Sequence, residues 1–207
     1  MKFDPKKHPF DRAQDKHRRS IRLKDYDYSQ AGAYYVTINT QNRECLFGEI
    51  VDYEMLLNEA GKMIEEQWLA LIARFPGIEL DLYQVMPNHF HGVLVIIEPV
   101  GATLVAARNM DTKSIHENGA GMSHGKGIKP APTLGDIIGA FKSITTHKYI
   151  QGVDNNDWPQ FYKRLWQRNY YEHVVRDEAD LNRICDYIQS NPANWDEEEQ
   201  NPKFIKP

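Results

Sequence analysis

The chain has 207 residues, 41% hydrophobic and 26% charged, which suits one soluble globular domain with room for an insertion or tails. No apolar run approaches the roughly 20 residues of a membrane helix, and no signal-peptide pattern opens the chain. The net charge of −4 is unevenly spread: residues 1–24 carry +6 and the remainder −10. The two cysteines, Cys45 and Cys185, lack the close spacing of a zinc site or redox pair, so a reducing cytoplasm fits.

Residues 1–30 read as a basic arm, able to reach phosphates and running into Tyr26, Tyr28 and Tyr34, on whose rings bases could stack. Ala33–Thr40 is a strand by β-propensity and alternation. A polar turn, Gln41–Glu44, leads to a short edge strand over Cys45–Val51. Asn58 caps a helix expected to run to about Arg74, with Ala60, Ile64, Trp68, Leu71, Ile72 and Phe75 as its core-facing stripe. Pro76-Gly77 stops it. Ile78–Val85 and His89–Ile97 then form an antiparallel hairpin about the turn Pro87-Asn88.

The second strand of that hairpin opens with His89 and His91. Side chains alternate across a strand, so both imidazoles leave on one side and can share a ligand. A pair of partly exposed strand-end histidines bonded to backbone is the plainer alternative. Residues 99–131 hold many glycines and little periodicity, the pattern of a long mobile loop. Thr133-Leu134-Gly135-Asp136 matches a capping box and opens a helix to about Ile150. Its apolar face is Leu134, Ile137, Ile138, Phe141 and Ile144, which leaves Lys142 on a polar face. Residues 151–159 are a loop. The stretch from Gln160 to Val175 interleaves Phe161, Tyr162, Trp166, Tyr170 and Tyr171 with Lys163, Arg164 and Arg168, a mixture suited to single-stranded nucleic acid or to core packing.

Asp177 caps a last helix to about Ser190, with Leu181, Ile184, Cys185 and Ile188 buried. Tyr187 and Asn191 are neighbours on one face of it, about 90° round from the apolar stripe. Asn191 precedes Pro192, which biases it away from helical backbone angles. Residues 193–207, with the acidic run Asp196–Glu199, read as a solvated tail.

Taken together, these residues resemble the REP-associated tyrosine transposases, within the small single-tyrosine HUH transposases and nucleases. The resemblance runs from about Arg18 to Trp195. It rests on Tyr34-Tyr35-Val36-Thr37-Ile38, Met86-Pro87-Asn88-His89-Phe90-His91-Gly92, Phe141-Lys142-Ser143, the run from Trp166 to His173, and Asp186-Tyr187-Ile188-Gln189-Ser190-Asn191-Pro192. The histidine pair alone is a weak signal, and the pair followed by the late Tyr-x-x-x-Asn-Pro is specific.

The resemblance implies an α+β, ferredoxin-like (RRM-like) domain over residues 31–192, an antiparallel sheet with packed helices and the histidines on a central strand. It implies His89, His91 and Asn191 as metal ligands, Tyr187 as nucleophile, and Mg2+ or Mn2+ as the ion. Tyr170 and Tyr171 are rival nucleophiles, and Glu172 or His173 rival ligands. Arg18, Arg19, Arg22, Lys142 and Arg168 are expected to contact DNA. The implied activity is cleavage and rejoining of single-stranded DNA at hairpins through a 5′-phosphotyrosine link, in a cytoplasmic, nucleoid-associated monomer or homodimer. A DNA-hairpin-binding module that cuts nothing is the alternative. A histidine-triad hydrolase is disfavoured by Val93, where a third alternate histidine would stand, and a cupin by the helices.

Overall fold

The computed structural model describes residues 26–97 and 132–204. Most of the basic arm, with Arg18, Arg19 and Arg22, and residues 99–131 lie outside the described residues. The described elements are strands β1 (Gly32–Asn39), β2 (Gly48–Val51), β3 (Glu54–Leu57), β4 (Ile78–Val85), β5 (His89–Ile96) and β6 (Tyr171–Val174). The helices are α1 (Glu59–Leu69), α2 (Leu71–Arg74), α3 (Leu134–Asn156) and α4 (Glu178–Ser190).

The main sheet has the order β4-β5-β1-β6 and is antiparallel throughout. It is made of two interleaved β-α-β units. In β1-α1-β4 the strand β5 lies between, and in β5-α3-β6 the strand β1 lies between, which is the ferredoxin-like arrangement. Strands β2 and β3 form a separate hairpin turned by Asp52 and Tyr53, both at positive φ. The sequence marks only the first of these two strands.

One sheet face carries Tyr34, Val36, Ile38, Phe90 and Leu94, all fully buried against α1 and α3. Gly92 lies on this face beneath Trp68. A Cβ there would come within 2.6 Å of the indole, so the absence of a side chain lets α1 settle onto the central strand. Asn58 caps α1 by accepting from the Gly61 N–H at 2.9 Å. The helix breaks at Ala70 rather than running unbroken to Arg74. Leu71 continues the buried stripe of Ala60, Ile64 and Trp68, whereas Ile72, expected in the core, lies at the edge of that stripe and is half exposed. The capping box of α3 forms as read, with Thr133 and Asp136 bonding reciprocally. That helix runs past Ile150 to Asn156, because Tyr149 and Val153 continue its buried stripe and Gly152 receives the Trp158 ring.

The opposite face is covered by α4 through a smaller cluster of Tyr35, Val93, Ile184 and Ile188. It is this second face that holds the histidines. Beyond α4 the chain does not run free, contrary to the solvated tail expected. Trp195 and Asn201 are buried, and a 3-10 turn over Trp195–Glu197 folds the segment back toward the head of β5. Burial of the indole is the physical reason that the acidic run is held against the domain.

Candidate active site

Strand β5 is central, and its pairing with β1 sets Thr37 opposite His91 and Asn39 opposite His89. His89 and His91 therefore leave the same face, with Tyr35 and Thr37 beside them. Both imidazoles are fully buried, at 0% and 1% exposure. Burial pushes His89 down to about 3, and burial together with the neighbouring His89 pushes His91 well below the ordinary range. Both rings are thus neutral near pH 7, the form in which imidazole offers a lone pair.

The hydrogen bonds fix where the lone pair of His89 lies. The Asn88 amide nitrogen donates to the carbonyls of Arg43 (3.0 Å) and Gln200 (2.7 Å). Its Oδ1 is thereby turned to His89 Nδ1 at 2.8 Å, so Nδ1 carries the proton and Nε2 does not. His89 Nε2 faces His91 Nε2 at 2.8 Å. On its far side His91 Nδ1 meets the Tyr35 hydroxyl at 2.8 Å and Thr37 Oγ1 at 3.0 Å. Hydroxyls donate or accept, so this pair holds the ring in either tautomer.

Helix α4 brings Tyr187 and Asn191 to the same place. The Tyr187 ring lies edge-on to His91 with centroids 5.4 Å apart. Asn191 keeps helical angles (φ −58°, ψ −42°) despite the proline after it, because the turn continues through Asn191 N–H to Ile188 O and Asn194 N–H to Ser190 O. Its side chain accordingly stays one helical turn from Tyr187. The amide is 1% exposed and lies beside His89, His91 and Tyr187, yet neither Oδ1 nor Nδ2 makes an aligned hydrogen bond.

A buried amide without partners is costly, and here it adjoins two buried imidazole nitrogens. Two nitrogens bound to one ion at right angles, at about 2.0–2.1 Å each, would stand about 3.0 Å apart, close to the 2.8 Å between the Nε2 atoms. Among the described residues no cluster of three His, Cys, Asp or Glu forms, and the Asn191 amide oxygen is a further buried oxygen beside the two imidazoles. The residues present fit a divalent ion held by two imidazoles and one neutral oxygen.

The rivals divide between the two faces. Glu172 is paired with Val36, on the face away from the histidines. His173 shares the histidine face but bonds Asp180 at 2.8 Å. Tyr170 packs on the main core, whereas Tyr171 is half exposed, lies opposite Thr37 on the histidine face and stands 6.1 Å from the Tyr35 ring. Lys142 is not an open phosphate hand: its ammonium donates to the carbonyls of Gln167 (2.7 Å) and Arg168 (3.0 Å).

Several site residues escape the sequence reading. Trp195 tilts against His89 at 5.9 Å, and the Tyr187 hydroxyl donates to Glu198 Oε1 at 3.0 Å. Burial first, then the Glu198 charge, raise Tyr187 above the ordinary tyrosine range. Tyr35 and Thr37 are signalled only by alternation along β1, once its register with β5 is known. No local pattern marks Glu198.

No family model matches the chain. Among solved structures it is similar to a REP-associated tyrosine transposase bound to a REP hairpin, at 17% identity and a TM-score of 0.46 over 84% of this chain and 73% of that one. It is also similar to a putative transposase from Deinococcus radiodurans R1, at 16% identity and a TM-score of 0.39 over 81% of this chain and 95% of that one. A protein of Haemophilus influenzae strain Rd, described as uncharacterized, is 36% identical over 183 residues, covering 88% of this chain and 92% of its own. By that identity and coverage, the chain belongs to the same family as the Haemophilus influenzae protein.

Proposed function

We propose that this protein is a metal-dependent, single-stranded DNA transposase and endonuclease that cleaves and rejoins DNA at hairpins through a 5′-phosphotyrosine link. One observation carries the reading: the hydroxyl-bearing Tyr187, the unpartnered Asn191 amide and the paired Nε2 atoms of His89 and His91 meet on one sheet face. These are also the residues in which the sequence resembles the REP-associated tyrosine transposases. His89 Nε2, His91 Nε2 and Asn191 Oδ1 would hold Mg2+ or Mn2+, which when bound polarises a non-bridging phosphate oxygen.

The chain's own residues supply the rest. A phenol with a pKa of about 10 in water is a weak nucleophile at neutral pH, and burial here makes it weaker still. Tyr187 therefore needs its proton taken as it attacks. Glu198 Oε1, 3.0 Å from the hydroxyl, is placed to accept it. The Tyr187 Oη–phosphorus bond forms as the phosphorus–O3′ bond breaks, and the departing oxygen takes up the proton from Glu198, directly or through water, to leave as a 3′-hydroxyl. The 5′ side stays on the protein. Attack by another strand's 3′-hydroxyl on that link returns the tyrosine and joins the DNA, so no nucleotide is consumed. Asn88 and the Tyr35–Thr37 pair orient the two imidazoles, as groups behind metal-ligating histidines commonly do. The basic arm, with Arg18, Arg19 and Arg22, adds phosphate contacts in this reading.

The test is a denaturing gel of the protein with labelled single-stranded hairpins from the DNA flanking its own gene, in Mn2+ or Mg2+. A protein-linked band is expected that needs the metal and vanishes in Tyr187→Phe. A band that survives in Tyr187→Phe but is lost in Tyr171→Phe would move the nucleophile. Tight hairpin binding with no adduct would make the protein a binding module.

A further inference from the structure

Away from the histidines, α3 and the segment 163–168 enclose an open hollow of about 270 Å³. Lys142, Ser143, Lys163, Arg164 and Arg168 line it, and no carboxylate does among the described residues. Arg164 and Arg168 are exposed at this hollow, whose lining among the described residues sets no carboxylate beside them. Burial and then the nearby Arg164 charge pull Lys142 down to about 8. The backbone is also unusual here: Lys163 sits at φ 57°, and the Arg164 N–H closes back on the Tyr162 carbonyl at 2.6 Å. A non-glycine residue held at positive φ has a cost that commonly accompanies function. The turn presents Lys163 over the Tyr162 ring, 4.7 Å from its centroid, and sends Arg164 into solvent.

The hollow has a fixed place relative to the tyrosine site. The Gln167 N–H donates to the Asn39 carbonyl, and Trp166 bridges to Thr40, so the segment lies along the end of β1. Asn39 is the cross-strand partner of His89. The backbone of the basic segment therefore runs two strand spacings from His89, about 10 Å. Lys142 acts within this arrangement as a clamp: its bonds to the Gln167 and Arg168 carbonyls hold the segment against α3.

We propose that this hollow binds the sugar–phosphate backbone of the DNA, beyond the linkage attacked at Tyr187, with Arg164 and Arg168 as the phosphate-contacting groups. The proposal rests on the DNA reading above and deepens it, by giving the described domain a backbone contact separate from the N-terminal arm. Arginine suits the task because its planar fork bonds two phosphate oxygens at once.

The test measures anisotropy of a labelled hairpin with a single-stranded flank, titrated with the full-length protein between 50 and 200 mM salt. Wild type is compared with Arg164→Gln/Arg168→Gln, both positions being exposed. Loss of two phosphate contacts should reduce the slope of log Kd against log salt by about 1.4–1.8. It should also weaken binding at 50 mM about tenfold or more, similarly for unrelated sequences. An unchanged slope and Kd in the double variant would overturn the proposal, as would wild-type protein that binds no DNA. So would inorganic phosphate binding that is lost in the double variant while its DNA binding is intact, since the hollow would then serve a small free anion. The adduct gel reads the tyrosine chemistry independently. A slope that falls in the double variant while wild type forms no adduct upholds the hollow and defeats the nuclease reading.

Discussion

Replacing Asn191 by leucine separates what this residue does for the site from what it does for the fold. Its side chain is 1% exposed, and neither amide atom has an aligned partner. A buried polar group left unsatisfied costs about 1–3 kcal/mol, and leucine, branched like asparagine but larger, removes that cost while adding a packing cost of similar size. The backbone N–H that continues the turn to Ile188 is untouched by the change. Asn191→Leu should therefore stay within about 3 kcal/mol of wild type in EDTA, with Tm moving by about 2–4 °C for each kcal/mol in a domain of this size. Mn2+ should shift the balance toward wild type. At a hundredfold excess over Kd an ion stabilises its folded site by about 2.7 kcal/mol, a gain that wild type should show and Asn191→Leu should largely lose. The measurements are urea and thermal unfolding with and without Mn2+. A variant less stable than wild type in EDTA by more than about 3 kcal/mol would mean the amide is structural, and an undiminished Mn2+ gain would remove it from the ligand set.

Three further perturbations have expected outcomes. Glu198→Gln removes the acceptor of the Tyr187 proton and should slow single-turnover adduct formation at neutral pH by about 100-fold or more, whereas an equal or faster rate would show that the carboxylate restrains the tyrosine instead. Gly92→Ala places a Cβ 2.6 Å from Trp68 and 2.9 Å from Phe90 and should cost about 1–3 kcal/mol in urea unfolding, so a neutral result would refute the packing account. Asp180 is held down to about 2, first by its bond from His173 and then by the Arg176 N–H. Its folded pKa lies below the unfolded value of about 3.9, so its contribution is present above that pH and lost as pH falls toward 2. The stability gap between wild type and Asp180→Asn should narrow as pH falls below about 4, and a gap that widens there would contradict the assignment.

Much of the site is legible because it depends on two short-range rules. Alternation along a strand puts His89 and His91 on one side whatever β5 pairs with, and the i, i+4 relation puts Tyr187 and Asn191 on one face whatever α4 packs on. Both rules hold in the structure. What fails is what long-range packing decides. How far the edge of the stripe is covered beyond Ala70 is set by how α2 meets the sheet, and Ile72 is left half exposed. The role of Lys142 depends on the 160s segment crossing α3, which no helical wheel reveals. Glu198 reaches Tyr187 only because the Trp195 indole is buried beside His89 and turns the chain back. An acidic run near a C-terminus is ordinarily a solvated face, and composition alone could not mark this one as different.

The two sheet faces divide the work in a way that bears on how the site operates. The face under α1 and α3 holds nearly all the large buried side chains and fixes β5, and with it the backbone of the histidines. The face under α4 is held by four buried residues, of which α4 supplies only Ile184 and Ile188. Tyr187 and Asn191 flank Ile188, so the proposed nucleophile and the proposed amide ligand share one attachment. Any loosening of α4 withdraws both together and leaves the imidazole pair in place, still oriented by Asn88, Tyr35 and Thr37. Segments with few buried apolar contacts open at lower free energy than the core. A helix docked through few buried apolar residues thus carries the proposed nucleophile, and the docked tail over Trp195 and Glu198 adds to its hold. The histidines are anchored by the larger core, and Tyr187 by the smaller one.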